Sequence, residues 1–191
     1  MMRAKLSIVD KADCPLGKRD SYMKKSEQTK RELAAAFKEL LEQMPFEKIN
    51  VSDIATQTGL SRKSFYYHFR DKYDLVSGIF QWEFLQHHAE TEPKVWMEAL
   101  CDYLHEHRDF YRKVMEYEGQ NSFIEFVGSC MSARMVDPES ATKEERLCAK
   151  MLGDAMMAML KCWLLQDELL SPQQFFDTLQ LAAKQAHVLW A

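Results

Sequence analysis

The sequence predicts an all-α protein with an N-terminal three-helix helix-turn-helix domain and a larger helical domain behind it. Three observations carry that prediction. Apolar side chains recur at helical spacing through most of the 191 residues, and no stretch alternates as a strand does. Only 6 Gly and 5 Pro punctuate the chain, while 47% of it is apolar, enough for a packed core. Val51–Phe69, VSDIATQTGLSRKSFYYHF, reads as two short helices joined at a glycine.

In chain order, residues 1–25 carry 7 Lys and Arg against 3 Asp and are expected to form a flexible basic tail. The alternative is a basic arm that reaches nucleic-acid phosphates or a minor groove. Ser26 is placed to cap a helix over Gln28–Met44, with Leu33, Phe37, Leu40, Leu41 and Met44 as its apolar stripe and Pro45 as its stop. Phe46 and Ile49 anchor the link to the next helix, where Val51, Ile54 and Ala55 share one face. Gly59 supplies a left-handed turn, Ser61 an N-cap, and Arg62–Phe69 the following helix, with Phe65 and Phe69 inward. The helix-turn-helix unit is expected to span residues 26–72, and residues 73–191 the larger domain. Asp71 caps a helix over about Lys72–Glu90. Further helices are expected over about Pro93–His107, over Arg108–Tyr117 up to Gly119, and from Asn121 or Ser122 to about Met135 before Asp137-Pro138. Two long helices close the chain, over about Thr142–Gln166 and, after Ser171-Pro172, over Gln173–Leu189.

With Phe65 and Phe69 inward, about 100° per residue turns Lys63, Ser64 and Tyr67 outward and leaves Tyr66 and His68 on the flanks. A cation, a hydroxyl and a phenol suit phosphates and base edges in a major groove; spacing alone also leaves open a plain αα-hairpin in a helical bundle. Charge is uneven in the same sense. Residues 1–72 hold 15 Lys and Arg against 10 Asp and Glu, and residues 73–191 hold 10 against 19, which together give the net −4. One basic end on an acidic remainder suits a chain that presents that end to a polyanion.

Gln28–Met44, the link PFEKINVSDIA and the run GLSRKSFYYHFRDKYDL resemble the DNA-binding segment of TetR-family transcriptional regulators. The resemblance implies double-stranded DNA as a partner, a homodimer, and a small-molecule effector bound in a C-terminal ligand-binding and dimerisation domain. Matched residue by residue, it implies DNA contacts at Ser52, Arg62, Lys63, Ser64, Tyr66, Tyr67, His68 and Lys72, with Thr29, early in the first helix, as a further phosphate contact. Lys63, Ser64 and Tyr67 are expected at base edges or nearby phosphates, and Tyr66, His68 and Lys72 on the DNA backbone. Ser64 stands where Thr is common in the family, which keeps the hydroxyl. With EGQNSF and KCWLLQD, the larger domain resembles regulators of the dihydroxyacetone-kinase type within that family, some of which are co-activators. The alternative function is a helical co-regulator that works through a protein partner without its own ligand.

In the first of the two long helices, Leu147, Met151, Ala155, Met159 and Trp163 form a stripe that Leu152, Met156, Leu160 and Leu164 widen beyond what one neighbour covers. Gly153, Ala155 and Ala158 permit close helix approach. A four-helix dimer interface is therefore expected around Met151, Ala155, Met159, Trp163, Phe176 and Ala183; the alternative is that the pair completes the protomer's own core. Phe84, Trp96, Tyr103, Phe110, Tyr111, Phe123 and Phe126 are the expected lining of an effector pocket, and the acidity of this half favours a neutral or cationic ligand. Enzyme motifs are missing: there is no G-x-S-x-G, P-loop or H-E-x-x-H, so neither catalysis nor a cofactor is expected. Cys101, His105, Glu106 and His107 offer the nearest approach to a metal set, and solvated helix residues are the preferred reading. Five cysteines without a C-x-x-C pair, no secretory signal, and an apolar run over Met151–Leu165 too short to span a bilayer predict a cytoplasmic protein with no membrane partner.

Overall fold

The computed structural model describes residues 16–116, 122–137, 139–167 and 170–190, and only the backbone path of residues 16–24, 122 and 186–190. The expectations for residues 1–15, the break at Gly119, a cap at Asn121 and the stop at Pro138 lie outside the described residues. What is described is helical: α1 (Leu16–Gln43), α2 (Val51–Thr58), α3 (Arg62–His68), α4 (Lys72–Phe80), α5 (Pro93–Glu106), α6 (Arg108–Met115), α7 (Ser122–Ser132), α8 (Lys143–Leu165) and α9 (Pro172–Trp190), with a 3-10 turn at Phe46–Lys48.

The first three helices form a small head whose core is Leu33, Phe37, Leu40, Leu41, Phe46, Ile49, Ile54 and Phe65, all nearly or fully buried. Short helices need their ends satisfied, since each leaves four N–H groups without intrahelical partners. Asn50 caps α2 by accepting from Ser52 N and Asp53 N, while the Asp53 carboxylate accepts from Asn50 N at 2.9 Å. Ser61 Oγ accepts from Ser64 N at 3.1 Å, and Asp71 accepts from Tyr73 N and Asp74 N at 2.8 Å each. Gly59 ends α2 at φ 68°, a conformation in which a Cβ is strained. The caps at Ser61 and Asp71 and the glycine turn stand as the sequence predicts; the Asn50–Asp53 box is an addition.

Three stretches differ from expectation. α1 starts at Leu16, so Ser26 lies within the helix and residues 16–25 are not a flexible tail. Beyond Gly17 the segment holds no Gly or Pro and is rich in Lys and Arg, which propagate a helix already nucleated on the head. The helix after Asp71 is α-helical only to Phe80; Gln81–Leu85 is a π-helical turn, closed by Gln86 N to Gln81 O at 3.0 Å. The wider turn keeps Phe80 and Phe84 both fully buried while Glu83 stays at the surface. Finally, Gly153 is buried against α7: a Cβ there would meet Ser132 Oγ and stand 2.6 Å from the Gly128 carbonyl oxygen. This small residue serves a crossing inside the protomer, whereas Ala155 and Ala158 are exposed.

The body's core is a run of aromatic rings: Phe80 on Phe84 (5.2 Å), Phe84 on Trp96 (5.3 Å), and Tyr111 stacked on Phe123 (5.4 Å). Trp163 belongs to it, stacked on Phe175 at 4.4 Å with its Nε1–H donated to Leu170 O at 2.9 Å. Trp163 and Phe176 are buried within the protomer, so neither is a surface from which a second copy would be built. An indole turned inward satisfies both its ring and its N–H at once.

Candidate nucleic-acid interface

The two-turn helix α3 is too short to persist alone, and its orientation comes from what it buries. Phe65 is fully buried and packs on Phe69 at 5.8 Å, and Phe69 meets Trp82 of the π-helical turn at 6.1 Å. With that side fixed, the opposite face is presented to solvent: Tyr67 is 65% and Tyr66 51% exposed, and Arg62 and Lys63 are exposed as well. Ser64 and His68 are half-buried. The Tyr67 ring stands edge-on to His68 at 4.9 Å, and the Tyr66 ring edge-on to Phe65 at 5.7 Å. Exposed aromatic rings held by neighbours lose little entropy on binding. Ser52, at the start of α2, is exposed beside this face, its N–H already given to Asn50.

His68 is held below the ordinary imidazole pKa of 6.5, first by burial and then by the ammonium of Lys30, with Glu27 opposing. It is therefore a neutral hydrogen-bonding group at pH 7. Lys30 and the exposed Arg70 lie with His68 around one groove of about 330 Å3 that also reaches Phe126. Arg70 is paired with Asp74 at 3.1 Å and Lys30 with Glu27 at 2.7 Å. The α3 spacing carries no trace of Lys30 and Arg70; only the fold brings α1 beside the end of α3.

Two expected contacts are placed elsewhere. The Lys72 ammonium is turned into the head, donating to the carbonyl oxygens of Phe46 (2.6 Å), Ile49 (2.9 Å) and Glu47 (3.4 Å) and lying 4.3 Å from the Phe46 ring centroid. Its three protons are committed, so Lys72 is a staple of the head and not a phosphate contact. Carbonyls of the 3-10 turn and its exit receive the ammonium of the next helix, the Phe46 oxygen in addition to Ile49 N at 3.2 Å. Thr29 is mid-helix in the longer α1, and its hydroxyl donates to Lys25 O at 3.0 Å.

Of the seven aromatics expected around an effector, Phe84, Trp96, Tyr111 and Phe123 are fully buried ring against ring and fill their own space. A groove of about 460 Å3 lies beside them between α1, the π-helical turn and the α5–α6 corner, and takes Phe110 and Tyr111 as lining. Its wall carries a polar chain: Lys38 to Glu83 (2.6 Å), Glu83 to Tyr103 (3.1 Å), Tyr103 to Tyr111 (2.8 Å). Cys101, His105 and His107 do not converge on a metal position: Cys101 is buried, His105 lies along Trp163 and His107 against Tyr103.

On α8, Leu147 (59%), Met151 (63%) and Leu152 (51%) are exposed together with Ala155, and on α9 Leu181 (55%) and Ala183. No described helix is long and apolar enough to cross a membrane.

Comparison with known proteins places both halves. Residues 33–79 match the family described as bacterial regulatory proteins, tetR family, and residues 91–185 match a transcriptional regulator C-terminal region. The chain is 33% identical over 96 residues to the HTH-type dhaKLM operon transcriptional activator DhaS of Lactococcus lactis subsp. lactis (strain IL1403), a match that spans 48% of this chain and 51% of that relative. Among solved structures, the dihydroxyacetone kinase operon activator DhaS is similar at TM-score 0.54 and 21% identity, over 84% of this chain and 97% of that one. A TetR transcriptional regulator from Streptococcus agalactiae 2603V gives TM-score 0.58 at 15% identity over 84% and 96%. NalD, the secondary repressor of the MexAB-OprM multidrug efflux pump in Pseudomonas aeruginosa, gives 0.53 at 18% over 84% and 96%. At these identities the structural likeness speaks to the fold.

Proposed function

We propose that this chain, which belongs to the TetR family of bacterial transcriptional regulators, binds its DNA site as a cytoplasmic homodimer and releases or engages it in response to a small molecule bound in the helical body. As a transcription regulator of this family it is not an enzyme. The observation that carries the DNA reading is α3: a rigid, capped two-turn helix whose buried Phe65 and Phe69 leave Tyr66, Tyr67, Lys63 and Arg62 to solvent. In the proposed complex α3 enters a major groove, Lys63, Ser64 and Tyr67 face base edges or nearby phosphates, and Arg62, Tyr66, His68 and Ser52 hold the DNA backbone. Two copies joined through the exposed stripe of α8 and α9 present two such helices to half-sites about one DNA turn, or a small multiple of it, apart.

Control is proposed to pass through α4 and its π-helical turn, which stand between the head and the aromatic core of the body. DhaS, to which the chain is similar, is named as an operon transcriptional activator; the second reading is a helical co-regulator or co-activator that works through a protein partner without its own ligand.

Mobility-shift assays with genomic fragments, followed by sequencing of the retained DNA, test the first reading. Tyr67→Ala should weaken binding by about 10- to 100-fold, the cost of one base-reading contact, with the dimer intact. Failure to retain any fragment at low salt rejects DNA binding and favours the co-regulator.

A further inference from the structure

The groove of about 460 Å3 beside the aromatic core holds a cation already, and it belongs to the protein itself. The Lys38 ammonium, reaching out of α1, sits 2.6 Å from Glu83 Oε1 and 5.5 Å from the centre of the Phe110 ring. The other Glu83 oxygen accepts from the Tyr103 hydroxyl at 3.1 Å, and Tyr103 is in turn bonded to the Tyr111 hydroxyl at 2.8 Å, so the carboxylate is held in place from behind. A fixed carboxylate facing an aromatic ring is the chemistry that recognises an organic ammonium ion. The other cations on the wall are occupied with backbone: Arg108 donates to the Leu164 and Gln166 carbonyls, and Lys113 to the Leu41 carbonyl at 2.9 Å. By contrast Glu42, Glu106 and Asp109, on the same wall, make no ion pair among the described residues. Four carboxylates against the three cations Lys38, Arg108 and Lys113 leave the wall at −1, with its unpaired side chains mostly acidic.

We propose that this groove is a binding site for a small organic ammonium ion carrying an apolar body, and that Lys38 is its resident stand-in, displaced from Glu83 when the ligand arrives. The ligand's ammonium takes the Lys38 position between Glu83 and Phe110, and its apolar part lies on Phe110. Lys38 and Glu83 are each more than a third exposed, so the ammonium swings into solvent at small cost. An internal occupant lowers the apparent affinity by the fraction of time it holds the site, and removing it restores that factor. Displacement also unties α1, a helix of the head, from the π-helical turn. The inference names the ligand class for the effector control proposed above and rests on that reading for its consequence at DNA, but the site is tested without DNA.

Calorimetric titration of the full chain with phenethylammonium chloride, 2-phenylethanol and sodium 3-phenylpropionate compares a cation, a neutral molecule and an anion of one shape. The cation should bind at least tenfold tighter than either of the others. Lys38→Met should tighten it by roughly three- to tenfold, the factor that a partly exposed internal pair withholds. Glu83→Gln should weaken it at least tenfold, with helical circular dichroism unchanged. Equal affinity for the three probes, a change under twofold in Lys38→Met, or unaltered binding in Glu83→Gln each overturns the site. If Lys38→Met fails to fold, the probe series and Glu83→Gln decide. DNA retention measured beside the titration separates the two readings. Selective cation binding that leaves DNA retention untouched supports the site and counts against control through it. Lost selectivity, with DNA still released by other small molecules, overturns the site and leaves control standing.

Discussion

Lys72 marks the difference between a residue's identity and its address. In sequence it is a basic side chain just past the recognition helix, yet its ammonium closes three carbonyls at Phe46, Glu47 and Ile49. Lys72→Met removes the charged donor from those oxygens, of which Phe46 O keeps Ile49 N, at a cost of about 1–3 kcal/mol, so thermal unfolding should fall by several degrees. The salt dependence of DNA binding should keep its slope, while Lys63→Gln should reduce it by about one. A reduced slope in Lys72→Met returns it to the phosphate contacts. His68 gives a pH prediction. Because burial and Lys30 lower its folded pKa below 6.5, the folded state favours the neutral ring. Its contribution to stability is complete above about pH 6.5 and is lost as the pH falls through the lower folded value. Proton NMR titration should find a midpoint below 6.5, and His68→Gln should flatten the acid limb of the stability profile. The phase of α3 was legible because Phe65 and Phe69 are one turn apart and apolar, which is local information. The direction of Lys72 was not, because three carbonyls converge on it only after the 3-10 turn has folded.

At the scale of elements, the α7–α8 crossing depends on a missing side chain. A methyl at Gly153 would collide with Ser132 and with the Gly128 carbonyl, and both neighbours sit in a helix that cannot retreat without moving the core. Gly153→Ala should cost about 1–3 kcal/mol in the manner of overpacked cores, visible as a lower urea midpoint. Ala158→Ser, on the exposed side of the same helix, should leave it unchanged. Helical periodicity finds α8, its apolar width and its small residues. It does not say that Gly153 faces α7 while Ala155 faces outward, since a surface too wide for one neighbour does not label its neighbours. The caps at Ser61 and Asp71 were readable for the opposite reason, as each acts within three residues of itself. The π-helical turn at Gln81–Leu85 has no local signature: it follows from the need to bury both Phe80 and Phe84 against α5 and α6.

At the scale of the whole molecule, the helix boundaries of the body were legible to within a few residues except at the end of α4, but its cavities and contact surfaces were not, because they depend on which faces meet. The aromatics expected around a pocket fill the core, and the groove opens beside them among charged residues. Likewise Trp163 and Phe176 complete the protomer, while Leu147, Met151, Leu152 and Leu181 keep an apolar surface unshared. If that surface joins two copies, Met151→Lys should give a monomer in sedimentation equilibrium. It should also lower DNA affinity by more than tenfold, since one half-site then binds without the other, with circular dichroism unaltered. A dimer that survives the charge moves the interface elsewhere. Head and body are tied by Lys113 on the Leu41 carbonyl, by Phe37 edge-on to Phe110 at 6.1 Å, and by Lys38 on Glu83.

The unexpected length of α1 turns those ties into a fulcrum. They gather at Phe37–Leu41, near one end of a rod of 28 residues. From Lys38 to the far end at Leu16 the helix runs about 33 Å, at a rise of about 1.5 Å per residue. A tilt of about 5° at the fulcrum sweeps that far end through about 3 Å, close to the length of a hydrogen bond. Displacements too small to notice at the groove are thus magnified along the rod, and the leverage grows with every residue by which the helix outruns the head.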